Sequence, residues 1–274
     1  MIVDWEWTIS SLFKKKTYFN SMILLLSPAK TLDFESKPHI AINSQPEFLN
    51  DSNYLVKKLK KLSAKQLSSL MSISADLSDL NHQRFQEWSV PFSSENSKQA
   101  VLSFTGEVYR GLDANSLSES DLNFAQNHVR ILSGLYGVLK PLDLIQPYRL
   151  EMGTRYAITP NVKNLYAFWQ EKLTASLKSD LAGRPLVNLA SVEYAKAIQL
   201  KKVKAEVVTP IFKEWKNGQL KTIMTYAKKA RGLMARFAIT NQLQDIEHLK
   251  LFNDEGYEYN QGESSELNWT FTRG

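Results

Sequence analysis

FAQNHVRILSGLYGVLKPLDLIQPYRLEMGTR, residues 124–155, is the stretch whose reading decides the fold. An amphipathic run ends in Leu132-Ser133-Gly134-Leu135-Tyr136-Gly137, and a second apolar run starts at Val138 and is stopped by Pro147. The expected order is helix, hairpin, helix. Gly134 and Gly137 can take φ > 0 and let a backbone approach closely. Amides exposed at such a turn, with a helix starting behind them, form a concavity that suits a phosphate. With Leu135 between the glycines and Lys140 as the nearby cation, the pattern is that of a helix-hairpin-helix element, which holds a nucleic-acid backbone without reading bases. A Gly-x-x-Gly turn between two ordinary packed helices has the same spacing, so the motif alone leaves both readings open.

Working outward on the N-terminal side, Leu122, Ala125, Val129 and Leu132 recur at helical spacing behind a capping-box pattern at Ser118–Asp121. Phe104–Leu112 reads as an aromatic loop with a turn of helix, Glu95–Leu102 as a short helix, and Glu47 to Trp88 as helices with Ser63 as a cap between them. Ile23–Leu26 is a short continuous apolar run that suits a strand buried on both faces. It exits into Ser27-Pro28-Ala29-Lys30-Thr31-Leu32-Asp33, where Lys30 reads as a phosphate ligand, a base or an exposed loop lysine.

On the C-terminal side, Arg149 and Arg155 flank Glu151 in an extended segment, where they can clamp phosphates or pair with nearby acids. Val162–Leu177 reads as a helix and Pro185–Ala190 as a second buried strand, with Ser191 and Glu193 opening a short helix. Asn217-Gly218 between Val207–Trp215 and Leu220–Tyr226 is a hairpin signal. Ala227–Phe237 follows as an amphipathic helix with Lys228, Lys229, Arg231 and Arg236 on one face. Cations in a first helical turn oppose the dipole, which a bound anion there would explain; a solvated face is the alternative. Asp254 and Glu255 read as the end of a loop before a last strand, Glu258–Phe271.

Composition bounds these readings. A chain of 274 residues with 43% hydrophobic residues can bury a sizeable core. With no cysteine there is no disulfide, thiolate metal site or thiol nucleophile, and the histidines at 39, 82, 128 and 248 never fall at metal-ligand spacing. No metal or other cofactor is called for. The longest apolar run, Met22–Leu26, is far short of the ~20 residues that cross a bilayer, and residues 1–21 do not read as a signal peptide. The expectation is a cytoplasmic protein whose translation starts at Met22, with residues 1–21 a non-native extension or a loose tail. The net charge of +6 is uneven: residues 194–236 carry eleven Lys and Arg against Glu206 and Glu214, a net of +9. A basic region on a near-neutral body argues for an anionic partner.

SPAKTLDF (27–34), GLYGVLKPLDLIQPYRLEMG (134–153), NLAS.EY (188–194), YAKKARGLM.RF (226–237) and FN.EGY (252–257) together resemble the bacterial YaaA family of peroxide stress resistance proteins. The resemblance runs from Met22 to the C-terminus. It implies a cytosolic protein of the peroxide stress response that limits damage by free intracellular iron and binds duplex or branched DNA in a positive cleft with a helix-hairpin-helix element. The hairpin carries over onto 132–137, and the cleft cations onto Lys30, Arg149, Arg155, Lys228, Lys229 and Arg231. No catalytic activity carries over.

The expectation is therefore a mixed α/β fold, one compact domain over residues 22–274 with a central mixed sheet flanked by helices. Its partner is DNA, held mainly by phosphate contacts; no membrane is expected and no protein partner is evident. The alternative is an enzyme acting on a nucleotide or nucleic-acid base, if Ser27, Lys30, Asn188, Ser191, Glu193 and Glu255 converge. A dedicated iron site has no support in the sequence. The spatial expectation is that the 134–137 turn, the 228–231 segment and Lys30 line one cleft.

Overall fold

Four consecutive apolar residues have no face to give to solvent, and Ile23–Leu26 accordingly forms strand β1 in the middle of the sheet, buried at every position. The computed structural model describes residues 21–274; the expected extension or tail lies, apart from Ser21, outside the described residues. After β1 come α1 (Leu49–Leu59), α2 (Ala64–Met71) and α3 (Ala75–Glu87), then α4 (Glu107–Leu112) and α5 (Glu119–His128). β2 (Val129–Ser133) and β3 (Gly137–Leu139) follow, then α6 (Leu165–Leu181), β4 (Leu186–Asn188) and the short α7 (Val192–Ala195). The chain ends with β5 (Val207–Lys216), β6 (Gln219–Lys221), α8 (Met224–Thr240), β7 (Glu258–Tyr259) and β8 (Asn268–Arg273).

The main sheet has the order β7-β8-β5-β4-β1-β2-β3, with β6 against β5. The β2–β1, β1–β4, β4–β5 and β5–β8 pairs are parallel, whereas β3, β6 and β7 pair antiparallel. The fold is thus a single mixed α/β domain with a central mixed sheet flanked by helices. Capping follows the sequence: Ser63 and Ser118 each complete a capping box, and Ser191 accepts from the Tyr194 amide to start α7.

The helix-hairpin-helix expectation is corrected. α5 stops at His128, and Val129–Ser133 is a parallel neighbour of β1, with Val129 opposite Leu24 and Ile131 opposite Leu26. After the turn, β3 returns antiparallel, Gly137 opposite Ser133. Helical spacing reaches across Val129 and Leu132, but these residues complete the sheet beside β1, and tertiary burial overrides the local period. The second expected helix is absent too: Leu144–Ile145 pairs as a strand with Lys98–Gln99. That pairing also takes the start of the helix expected over 95–102, leaving one turn at Ala100–Ser103. The expected last strand is two, β7 and β8, paired with each other.

Candidate nucleic-acid interface

In a sheet with parallel central strands, ligands collect outside the carboxyl ends of the strands. β1, β2 and β4 end side by side at Leu26, Ser133 and Asn188, with Ser27 just past the end of β1. The Ser191 amide donates to Ser27 Oγ at 2.8 Å, and Ser27 Oγ donates to Ser191 Oγ at 3.3 Å. Below them, the Tyr109 hydroxyl donates to the Ser27 carbonyl at 3.0 Å, and the Tyr148 hydroxyl shares a 2.7 Å hydrogen bond with Ser133 Oγ. Burial pushes the phenols of Tyr109, Tyr148 and Tyr194 well above their usual range, so they serve as neutral walls.

Above this floor lie the charges. Lys30 Nζ is 2.7 Å from Glu151 Oε2, and Arg149 Nη2 donates to Glu151 Oε1 at 3.1 Å. The Gly153 amide donates to Glu193 Oε1 at 2.9 Å, tying the 149–155 segment to the start of α7. Lys30 is held out on a loop whose far end is pinned: buried Lys98 donates to the Asp33 and Ser36 carbonyls at 3.0 and 2.9 Å. Lys30 is itself 63% exposed.

The exit of β4 has a second side. Ser191 and Glu193 turn toward β1 and Gly153, whereas Asn188, Ala190 and Val192 line a groove of about 800 Å³ over β5, closed by α8. Its floor is apolar, and Lys196, Lys201, Lys202 and Arg231 stand along it. Burial lowers the Arg231 pKa from its ordinary value. Among the described residues no carboxylate lies within ion-pair distance of Arg231. The same holds for most of the basic segment: Lys213, Lys229 and Arg236 pair with Glu263, Glu255 and Asp113, and the other eight cations of residues 194–236 have no such partner among the described residues.

The ten residues singled out by the sequence divide accordingly. Gly134, Leu135 and Gly137 are buried in the core. A Cβ on Gly134 would overlap the Leu150 carbonyl, and one on Gly137, where φ is +72°, would sit 2.8 Å from the Trp169 ring. The turn amides of Leu135 and Tyr136 already donate to Ser133 Oγ at 3.2 and 3.0 Å, and Trp169 Nε1 donates to the Gly134 carbonyl at 2.9 Å. Two of the turn's amides are thus spent inside the protein, and the turn itself is buried away from any phosphate. The turn instead supports the Leu150–Glu151 backbone, and so the carboxylate that gathers Lys30 and Arg149.

Lys140 follows β3 at the opposite end of the sheet, near Arg130 and Asp143. Lys30 and Arg149 converge in the crevice; Arg155 is exposed and has no acidic partner among the described residues. Lys229 is paired with Glu255, whose carboxyl it holds below the usual range. Lys228 is exposed, and Arg231 lines the groove. The expectation of one cleft therefore resolves into a crevice and a groove on either side of the β4 exit, with the glycine turn beneath the crevice. The cations expected in a first helical turn lie further along the helix. α8 begins at Met224, which puts Lys228 and Lys229 past its first turn, where the dipole has faded. Lys196, Lys201 and Lys202 are visible in the sequence only as part of the charge count.

The family profile described as peroxide stress protein YaaA matches residues 22–263. The chain belongs to that family. It is 52% identical over 255 residues to a UPF0246 protein of Dechloromonas aromatica, covering 92% of this chain and 99% of the relative. UPF0246 proteins of Paraburkholderia xenovorans and Paraburkholderia phytofirmans are 51% and 50% identical over 257 residues, covering 92% of this chain and 98% of each relative. The stretches that the family shares with this chain thus include both sides of the β4 exit.

Proposed function

We propose that the protein binds duplex or branched DNA in the peroxide stress response, through phosphate contacts made by the cations beside the β4 exit. The observation that carries this reading is the set of eight cations in residues 194–236 that have no carboxylate partner among the described residues, with Lys201, Lys202, Lys196 and Arg231 along one groove. A folded protein pairs or solvates its charges, and a one-sign surface without acids favours a polyanion. Across the crevice Arg155 adds an exposed cation, whereas Lys30 and Arg149 share Glu151 and reach a phosphate only in competition with it. Contacts of this kind position a duplex without reading its sequence, so binding is weakly specific and strongly dependent on salt.

On this reading any protection from iron-linked damage is exerted at DNA. The described residues bring together no group of three His, Asp or Glu side chains that suits a metal ion. The test is a salt series of binding to duplex, four-way junction and single-stranded DNA. A log–log slope of several units, about 0.9 per phosphate engaged on duplex, is the expected result; a flat response, or no binding at low salt, rejects the reading.

A second reading is favoured by the crevice itself. Ser27, Ser191, Lys30, Glu151 and Glu193 converge around the carboxyl ends of β1 and β4, an arrangement that could move a proton on a bound nucleotide or base. Glu255 does not join them, since it pairs with Lys229 and Arg273 beyond α8. Incubation with deoxynucleotides and duplexes, followed by mass-resolved product analysis, tests this: turnover lost in Glu193→Gln supports it, and unchanged substrates with the wild type reject it.

A further inference from the structure

The groove beside β4 has features that tracking a phosphate backbone does not require. A backbone track needs only exposed cations, yet this groove has an apolar floor built from Ile211, Ala195 and Ala227, two of them small enough to leave a flat slot. Val192 stands at its lip 72% exposed, an apolar side chain with no packing role that would account for it. At about 800 Å³ the space falls within the range of small-molecule sites.

Its polar groups are few and unspent. Asn188 Oδ1 accepts from the Ala190 amide at 3.2 Å, while its Nδ2 makes no hydrogen bond among the described residues. The hydroxyls of Thr209 and Thr222 likewise have no protein partner there. Arg231 is half-buried with no carboxylate at ion-pair distance among the described residues, so no protein charge there offsets the desolvation that lowers its pKa. An acyl chain would satisfy the floor and leave the amide and hydroxyls idle. A planar heterocycle satisfies both, because it offers apolar faces and a hydrogen-bonding edge, and a phosphate on it answers the guanidinium.

We propose that this groove binds one nucleoside phosphate, its base against the Ile211–Ala227 floor with its edge toward Asn188 Nδ2, and its phosphate held by Arg231 and the lysines of the rim. The nucleotide is either free in solution or an unpaired one in a DNA strand; only the second source rests on the DNA-binding reading. Val192 closes the open side.

The experiment uses the full chain and two variants at positions that leave the core intact, Arg231→Gln and Val192→Glu, with thermal unfolding as the fold control. Calorimetric titration with deoxyadenosine monophosphate, deoxyadenosine and inorganic phosphate forms one arm. The other compares a paired duplex with the same duplex carrying one unpaired adenine. The expected result is tighter binding of the monophosphate than of either fragment, weakened about tenfold or more in both variants. If the free nucleotide does not bind but the unpaired adenine strengthens duplex binding, and the variants remove that advantage, the groove takes its nucleotide from a strand. The proposal is overturned if neither probe shows an advantage, or if decanoate binds the groove and the monophosphate does not. The salt series on paired duplex judges the DNA reading separately in either case.

Discussion

The turn at 133–137 and the groove beside β4 both advertise ligand binding in sequence, one through glycines and the other through cations, and they turn out to be opposites. The turn is sealed: its side chains are buried and the amides of Leu135 and Tyr136 donate to Ser133. The groove is open, with cations that the described residues leave without carboxylates. A glycine reports that something comes close to the backbone and does not say whether that something is a ligand or the protein's own chain. Unpaired charge is harder to explain internally, because a fold gains little by leaving a half-buried guanidinium alone.

The largest expected effect comes from testing the sealed side. Gly134→Ala drives a methyl into the Leu150 carbonyl, a backbone atom that cannot move aside as a side-chain tip can. Urea unfolding should show a loss of about 3 kcal/mol or more, or failure to fold. A stable Gly134→Ala with weakened DNA binding would reverse the comparison and restore the turn as a ligand site.

Next is Tyr136→Phe. The Tyr136 hydroxyl accepts from Trp88 Nε1 at 2.9 Å and from the Gln146 amide at 3.0 Å, all in the core. Its removal leaves two buried donors unpaired and should cost about 2 kcal/mol, with no change in DNA affinity when the folded protein is assayed.

These two positions also show why some of the structure is legible in the sequence and some is not. The β1 strand, the Ser63 cap, the Ser118 capping box, the hairpin at Asn217-Gly218 and most of α6 and α8 are legible, because each rests on local chemistry. Val129–Ser133 is not: its place beside β1 depends on Leu24 and Leu26, a hundred residues away, and nothing local distinguishes a helix continuing to Leu132 from a strand starting at Val129. Of the candidate site, Lys30 and Arg149 are legible only as two separate cations. Glu151, which joins them, reads in sequence as a neighbour of the arginines alone. The rim lysines 196, 201 and 202 are present as a count, since spacing cannot say which of eleven cations face a common space.

The open side should behave in the reverse manner. Lys201 and Lys202 are exposed on a short turn, so the double change to Glu should alter stability by no more than about 0.5 kcal/mol. Duplex affinity should fall about tenfold or more, and the salt slope should drop by about 0.9 for each phosphate that is no longer engaged. If affinity falls with an unchanged slope, the lysines act through the shape of the groove and not through phosphates, and the proposed division between the two regions needs redrawing.

The smallest effect is expected at Lys140, which stands beside the turn in sequence and at the other end of the sheet in space. Lys140→Glu should leave DNA affinity within about twofold of the parent, the outcome for a surface charge more than a Debye length from the bound strand. Its consequence is local and depends on pH. The buried Asp143 carboxyl, which accepts from Ser44 Oγ at 2.6 Å and from the Lys140 amide at 2.7 Å, has its pKa raised by burial to about 6, while the Lys140 charge pulls it down. An acid whose folded pKa is raised binds its proton more readily folded than unfolded, so stability is gained as pH falls through about 6 toward the unfolded value near 4. Replacing Lys140 by Glu raises the folded pKa further and should deepen that gain, shifting its onset to higher pH. Unfolding midpoints of both proteins between pH 4 and 8 check this. An identical pH profile for the two would mean that the Lys140 charge is too well solvated to reach Asp143, and a large loss of DNA binding would place the duplex at the wrong end of the sheet for the groove to be its site.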